Sequence, residues 1–121
     1  MLFQWGKFQS AAGISLDWKI ECDALTADDW QCIAAVGMRR LPQFGGVVGV
    51  PTGGRALAKA FEPYRMTGVA RMLVVDDVWT TGKSMGTFVD GIEKLGEWWG
   101  FVAFARGATP RNVMHFARID L

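Results

Sequence analysis

The sequence predicts one α/β domain with a doubly wound, mostly parallel central sheet flanked by helices, and a small N-terminal hood beside it. Three observations point there. The apolar runs Gly46 to Val50, Met72 to Val75 and Phe101 to Phe104 are continuous rather than alternating, as in strands buried on both faces. Segments of helical periodicity lie between these runs, and strands that alternate with helices build parallel sheets through crossover connections. Two turns rich in Gly and Thr follow strand ends, where open α/β sheets collect their ligands.

Taken in order, Gly6 to Cys22 is expected to form a strand pair or hood, so that residues 1–25 cover a core of residues 26–121. Between Thr26 and Leu41, the residues Trp30, Ile33, Ala34, Met38 and Leu41 fall on one helical face, and Thr26 with Asp29 reads as a capping box. The run Gly46 to Val50 ends at Pro51-Thr52-Gly53-Gly54, and Arg55 to Phe61 returns to a helical pattern through Leu57, Ala58 and Phe61. Met72 to Val75 followed by a helix from Ser84 to Leu95 (Phe88, Ile92, Leu95) repeats the arrangement. Phe101 to Phe104 adds a strand, and Val113 to Ile119 an edge strand. His115, the one histidine, falls in that edge pattern with no acid beside it and reads as a strand residue.

Composition narrows the function classes. A chain of 121 residues, half of them hydrophobic, holds a single core with no linker and is too interrupted by charge to span a membrane. A net charge of +1 lacks the basic excess of nucleic-acid surfaces, and Arg39 with Arg40 suits a helix C-terminus. Met1 to Gln9 has no apolar leader core, which predicts a cytoplasmic protein. Cys22 and Cys32 have no metal or CxxC spacing and read as reduced core thiols.

The chemistry concentrates in Val74 to Ser84, VVDDVWTTGKS. Backbone N–H groups of Thr80, Thr81, Gly82, Lys83 and Ser84, with the hydroxyls of Thr80, Thr81 and Ser84, can surround a phosphate at the positive end of the next helix. Gly82 allows close approach. Asp76 and Asp77, as carboxylates, only accept hydrogen bonds, so they suit the vicinal hydroxyls of a ribose or a nearby cation. Gly82-Lys83-Ser84 is not a P-loop, because Asp77 stands where the first glycine of that motif belongs. In the second turn, Thr52, Gly53 and Gly54 can present N–H groups to an anion, and Arg55 adds a permanent charge.

Val74 to Ser84 resembles the phosphoribosyl pyrophosphate (PRPP) motif of type I phosphoribosyltransferases. Val47 to Ala58, VVGVPTGGRALA, is similar to the pyrophosphate loop of the orotate branch of that family, a loop in which the family carries a cis peptide. The resemblance implies displacement at the ribose anomeric carbon of PRPP by a nitrogen of a nucleobase, releasing pyrophosphate with the aid of Mg²⁺ held through PRPP near Asp76 and Asp77. It implies Asp76, Asp77 and Arg55 as catalytic, Thr80 to Ser84 as the 5-phosphate site, Pro51 to Arg55 as the pyrophosphate site, and a homodimer.

The likeness extends to a hood pattern in Phe8 to Cys22, with Gly13, Ser15, Trp18 and Glu21 as matches, while the family's base-contacting lysine falls at Ala11. The family also places a strand and a mobile lysine loop between the two motifs, for which Phe61 to Arg71 leaves no room. Lys59, Arg65 and Arg71 are the cations in that span. A slow enzyme and a noncatalytic PRPP- or nucleotide-binding regulator both remain open, as does an interaction module using Trp98 and Trp99, a pair read more simply as half-buried.

Overall fold

The computed structural model describes residues 1–9 and 15–120. An antiparallel hairpin opens the chain, β1 (Phe3–Gln9) with β2 (Ser15–Ile20), and its register slips between Trp5 and Phe8. Helix α1 (Ala27–Gly37) follows. Then come strand β3 (Gly46–Gly49), helix α2 (Arg55–Phe61), strand β4 (Met72–Trp79), helix α3 (Lys83–Asp90), and strands β5 (Trp98–Ala105) and β6 (Val113–Arg118). The last four strands form one sheet in the order β3-β4-β5-β6, every neighbouring pair parallel.

Both faces of the sheet are covered, which accounts for the unbroken apolar runs. Leu73, Val75, Phe101 and Ala103 face a core shared with Trp30, Ile33 and Ala34 of α1 and Leu57 and Phe61 of α2. Val74, Val102 and Val113 face a second core with Met85 of α3. In the first core, Phe44, Phe61 and Phe101 stack edge to face, with ring centroids 6.1 and 5.2 Å apart. Trp98 and Trp99 are half-buried and pack into opposite cores, so neither is displayed as an interface.

The capping box of α1 is present: Asp29 N–H donates to Thr26 Oγ1 at 3.2 Å, and Thr26 N–H to the Asp29 carboxylate at 2.8 Å. The helix stops at Gly37 rather than Leu41. A Cβ at Gly37 would lie 2.8 Å from the Phe101 ring, so helix and sheet touch there and the chain turns away. Met38 and Leu41 still pack on the core from the turn.

Helix α3 is likewise shorter than the predicted Ser84 to Leu95. Lys94 and Gly96 adopt positive φ of 58° and 74°, which a right-handed helix cannot contain. Cys32 departs from its expected core position: it is exposed, whereas Cys22 is buried, and both are free thiols.

Between α2 and β4 the described chain holds only a 3-10 turn (Glu62–Tyr64) and a loop, leaving β3 at the sheet edge. Met66 N–H donates to Phe44 O at 2.8 Å and Gly45 N–H to Arg71 O at 2.8 Å, which binds the loop to the start of β3. Truncating Phe61→Ala in the centre of the aromatic stack should cost about 3–5 kcal/mol, read as a lower urea midpoint with unchanged slope.

Candidate functional site

The site forms because β4 outlasts one of its neighbours. Strand β3 pairs with β4 only as far as Gly49 opposite Val75, while β5 continues to pair through Asp76 opposite Val102 and on to Trp79 opposite Ala105. Asp76 and Asp77 therefore sit within the strand, which runs on to Trp79 beyond the expected Met72 to Val75, at the step where β3 has ended. Their acceptors also serve the backbone: Asp77 N–H donates to Asp76 Oδ1 and Val78 N–H to Asp77 Oδ1, each at 2.8 Å.

The turn after β3 fills the step. Val50 N–H donates to Val75 O and Gly54 N–H to Val50 O, both at 2.8 Å, and the Pro51–Thr52 peptide is cis. A Cβ at Gly53 would collide with the Asp77 carboxylate, and one at Gly54 with Val75 O. These two glycines let the turn lie directly on the acid-bearing strand, so the two sequence motifs meet at Asp77.

The second turn runs from Thr80 to the start of α3. Gly82, at φ 84°, is the residue before the helix, and Trp79 packs where its Cβ would be. Lys83 N–H reaches Thr81 Oγ1 at 3.4 Å. First-turn amides have no partner within the helix and carry its positive pole, so this turn offers donors to an anion.

Around these turns lies a cleft of about 450 Å³. Of the predicted residues, Pro51, Gly53, Asp76, Asp77 and Thr80 to Ser84 line it. Thr52, Gly54 and Arg55 do not: Gly54 is buried beneath the turn, and Arg55 stands exposed at the start of α2. Phe8, Gln9, Lys19 and Ile20 form the opposite wall, so the hairpin does act as a hood. Trp18 and Glu21 belong to the hood, and Ser15 begins β2, while Ala11 and Gly13 lie outside the described residues. Lys59, Arg65 and Arg71 are absent from the lining; Arg65 pairs with Glu62 at 2.8 Å and Arg71 with Glu97 at 3.2 Å.

Sequence reasoning passed over Arg106. At the carboxyl end of β5 it lines the cleft, only 4% exposed. Its guanidinium carbon lies 3.7 Å from the Trp18 ring centroid, and Nη1 donates to Trp18 O at 2.9 Å, fastening hood to core. The available signal was an arginine closing an unbroken apolar strand, at the sheet end where ligands gather.

Burial raises Asp76 from 3.8 to about 8, and its hydrogen bond with the Asp77 side chain and that carboxylate's charge push the same way. Beneath them, Cys22 is pushed up to about 12, chiefly by burial and then by Asp77, so it stays an unreactive thiol. No group of three or more metal-ligating side chains occurs among the described residues. A pair of oxygen donors suits Mg²⁺ that keeps most of its contacts to water and substrate phosphates.

No protein-family model and no curated sequence matches the chain. Solved structures do. Orotate phosphoribosyltransferase from Aeropyrum pernix superposes with a TM-score of 0.73 at 20% identity, over 98% of this chain and 88% of that one. UMP synthase of Leishmania donovani gives 0.78 at 18% identity, over 98% of this chain and 34% of that longer one. The Helicobacter pylori xanthine-guanine-hypoxanthine phosphoribosyltransferase is more distant, with a TM-score of 0.57 at 12% identity over 75% of this chain. The chain thus has the type I phosphoribosyltransferase fold.

The Asp76 shift carries a pH signature. The folded state holds its proton more tightly than an unfolded chain would, so the stabilisation is fully present below the ordinary value of 3.8 and is lost as pH rises through about 8. Asp76→Asn, which stays neutral, should therefore melt with less pH dependence than wild type between about pH 4 and about pH 8. Thermal unfolding by circular dichroism measures this, and equal pH slopes would contradict the assignment.

Proposed function

We propose that this chain is a phosphoribosyltransferase that joins PRPP to a nitrogenous base, an orotate-like pyrimidine or a related ring, giving a nucleoside monophosphate and pyrophosphate. The observation that carries the proposal is the convergence of three groups on one cleft: the acid pair, the helix-capping Thr80 to Ser84 turn, and the Pro51 to Gly54 turn packed against Asp77. A ribose flanked by a 5-phosphate and a pyrophosphate needs that combination.

In this reading Thr80 to Ser84 hold the 5-phosphate through backbone amides and hydroxyls. That remote binding energy aligns the anomeric carbon. Asp76 and Asp77 hold the ribose hydroxyls, and the charge of the pair, carried by Asp77 near neutral pH, favours the positive character that the sugar gains as its bond to pyrophosphate breaks. The bonding electron pair leaves on the pyrophosphate oxygen, a ring nitrogen of the base bonds to the same carbon, and the proton from that nitrogen passes to solvent. The Pro51 to Arg55 turn takes the departing pyrophosphate, through Pro51 and Gly53 at the cleft wall, while Arg55, outside the lining at the start of α2, adds its charge from farther off. Mg²⁺, when bound beside Asp76 and Asp77 and to PRPP, would neutralise the growing negative charge.

We assign the protein to the cytoplasm as a homodimer. The described residues contain no helix long and apolar enough to cross a membrane.

The short span from Phe61 to Arg71 favours a second reading, a noncatalytic binder of PRPP or of a nucleoside monophosphate. With no room for a lid in that span, turnover should be slow; loss of one electrostatic donor costs about 10²–10³ in rate. A pyrophosphate-release assay with PRPP, Mg²⁺ and a panel of nucleobases, run beside titration calorimetry, separates the two. Asp77→Ala should weaken PRPP binding by about 1–3 kcal/mol. Release with any base supports the enzyme and binding without release the regulator, whereas no PRPP binding by wild type rejects both.

A further inference from the structure

The charges that line the cleft are unevenly distributed. Among the described residues its cations are Lys19, Lys83 and Arg106. Lys83 opens α3 beside the Thr80 to Ser84 turn. Arg106 is buried, with one face covered by the Trp18 ring. Arg55 and the cations of the Phe61 to Arg71 span lie outside the lining. Lys19 is therefore the one lining cation on the hood, and it combines a long side chain with a half-exposed position.

Its present contacts are weak. Lys19 Nζ lies 3.4 Å from the Glu21 carboxylate, with both side chains about one-third exposed, and 4.8 Å from the centroid of the Phe8 ring. Charge-assisted hydrogen bonds run to about 2.7–2.9 Å, so the pair is a loose rim contact and not a lock. A phosphate oxygen in the cleft would compete well for the ammonium group. Strand β2 holds the residue in place, because the hood is fastened to β5 through Trp18, the neighbour of Lys19 in sequence.

We infer that Lys19 is a ligand-contacting residue that supplies, from the hood, a cation for the diphosphate group of the substrate, with Glu21 parking it while the cleft is empty. The inference rests on the reading of the cleft as a PRPP site and adds to it a residue from the opposite wall. Lys19 swings from Glu21 to the diphosphate oxygens. No covalent step is involved.

The test is calorimetric titration of the full chain with PRPP, pyrophosphate and ribose 5-phosphate, for wild type, Lys19→Gln, Lys19→Arg, Glu21→Gln and the double variant Lys19→Gln/Glu21→Gln. Circular dichroism confirms the fold of each. Lys19→Gln should weaken pyrophosphate and PRPP about tenfold, the order of one lost charged hydrogen bond, and ribose 5-phosphate about twofold at most. Lys19→Arg should restore most of that loss. Glu21→Gln should tighten pyrophosphate binding, and only while Lys19 is present. Unchanged affinities in Lys19→Gln, or equal losses for all three ligands, would overturn the role of Lys19 while leaving the cleft assignment intact. A wild type that binds none of the three overturns the cleft reading and this role with it.

Discussion

The registration of β4 between unequal neighbours is the constraint on which everything else rests. Had β3 continued beside it, the outer edge of β4 at Asp76 and Asp77 would be taken up by ladder hydrogen bonds to another strand. Because β3 stops opposite Val75 and β5 does not, the acids stay paired on one side, and the other edge of the strand is left to the turn after β3. A site built on a strand is held more firmly than one built on a loop. The glycine turn that fills the vacated step can do so only because Gly53 and Gly54 carry no Cβ to meet Asp77 and Val75 O.

A second dependence runs through Arg106. A buried guanidinium is costly unless its charge is met, and here an indole face and a carbonyl meet it on the hood side while its own backbone N–H donates to Trp79 O at 2.8 Å. The same residue thus touches the hood, the acid-bearing strand and the cleft. Phe3 adds an apolar contact in the same direction, with ring centroids 6.3 Å from Trp18 and 6.4 Å from Phe104. Among the described residues, neither strand of the hood pairs with the four-stranded sheet. It is these side chains, and not strand pairing, that hold it over the site.

Much of this was legible in the sequence, for identifiable reasons. The unbroken apolar strands, the Thr26 and Asp29 cap and both Gly/Thr turns are local signals, and each is found where local chemistry puts it. Errors arose where tertiary contacts overrule local pattern. Asp76 and Asp77 read as the end of a strand because they are polar, yet pairing with β5 carries the strand to Trp79. Ile92 and Leu95 continue a helical period that positive φ at Lys94 and Gly96 interrupts. Arg106 lies 88 residues from Trp18 in the chain, so no local pattern could disclose their contact.

The short connection between α2 and β4 leaves the charge of the cleft to a few side chains. The cleft is lined by two acids and three cations, and with Asp76 protonated below about 8 only Asp77 opposes them. Near neutral pH the cleft is thus locally positive, the sign that suits an anion, although the protein as a whole carries a charge of only +1.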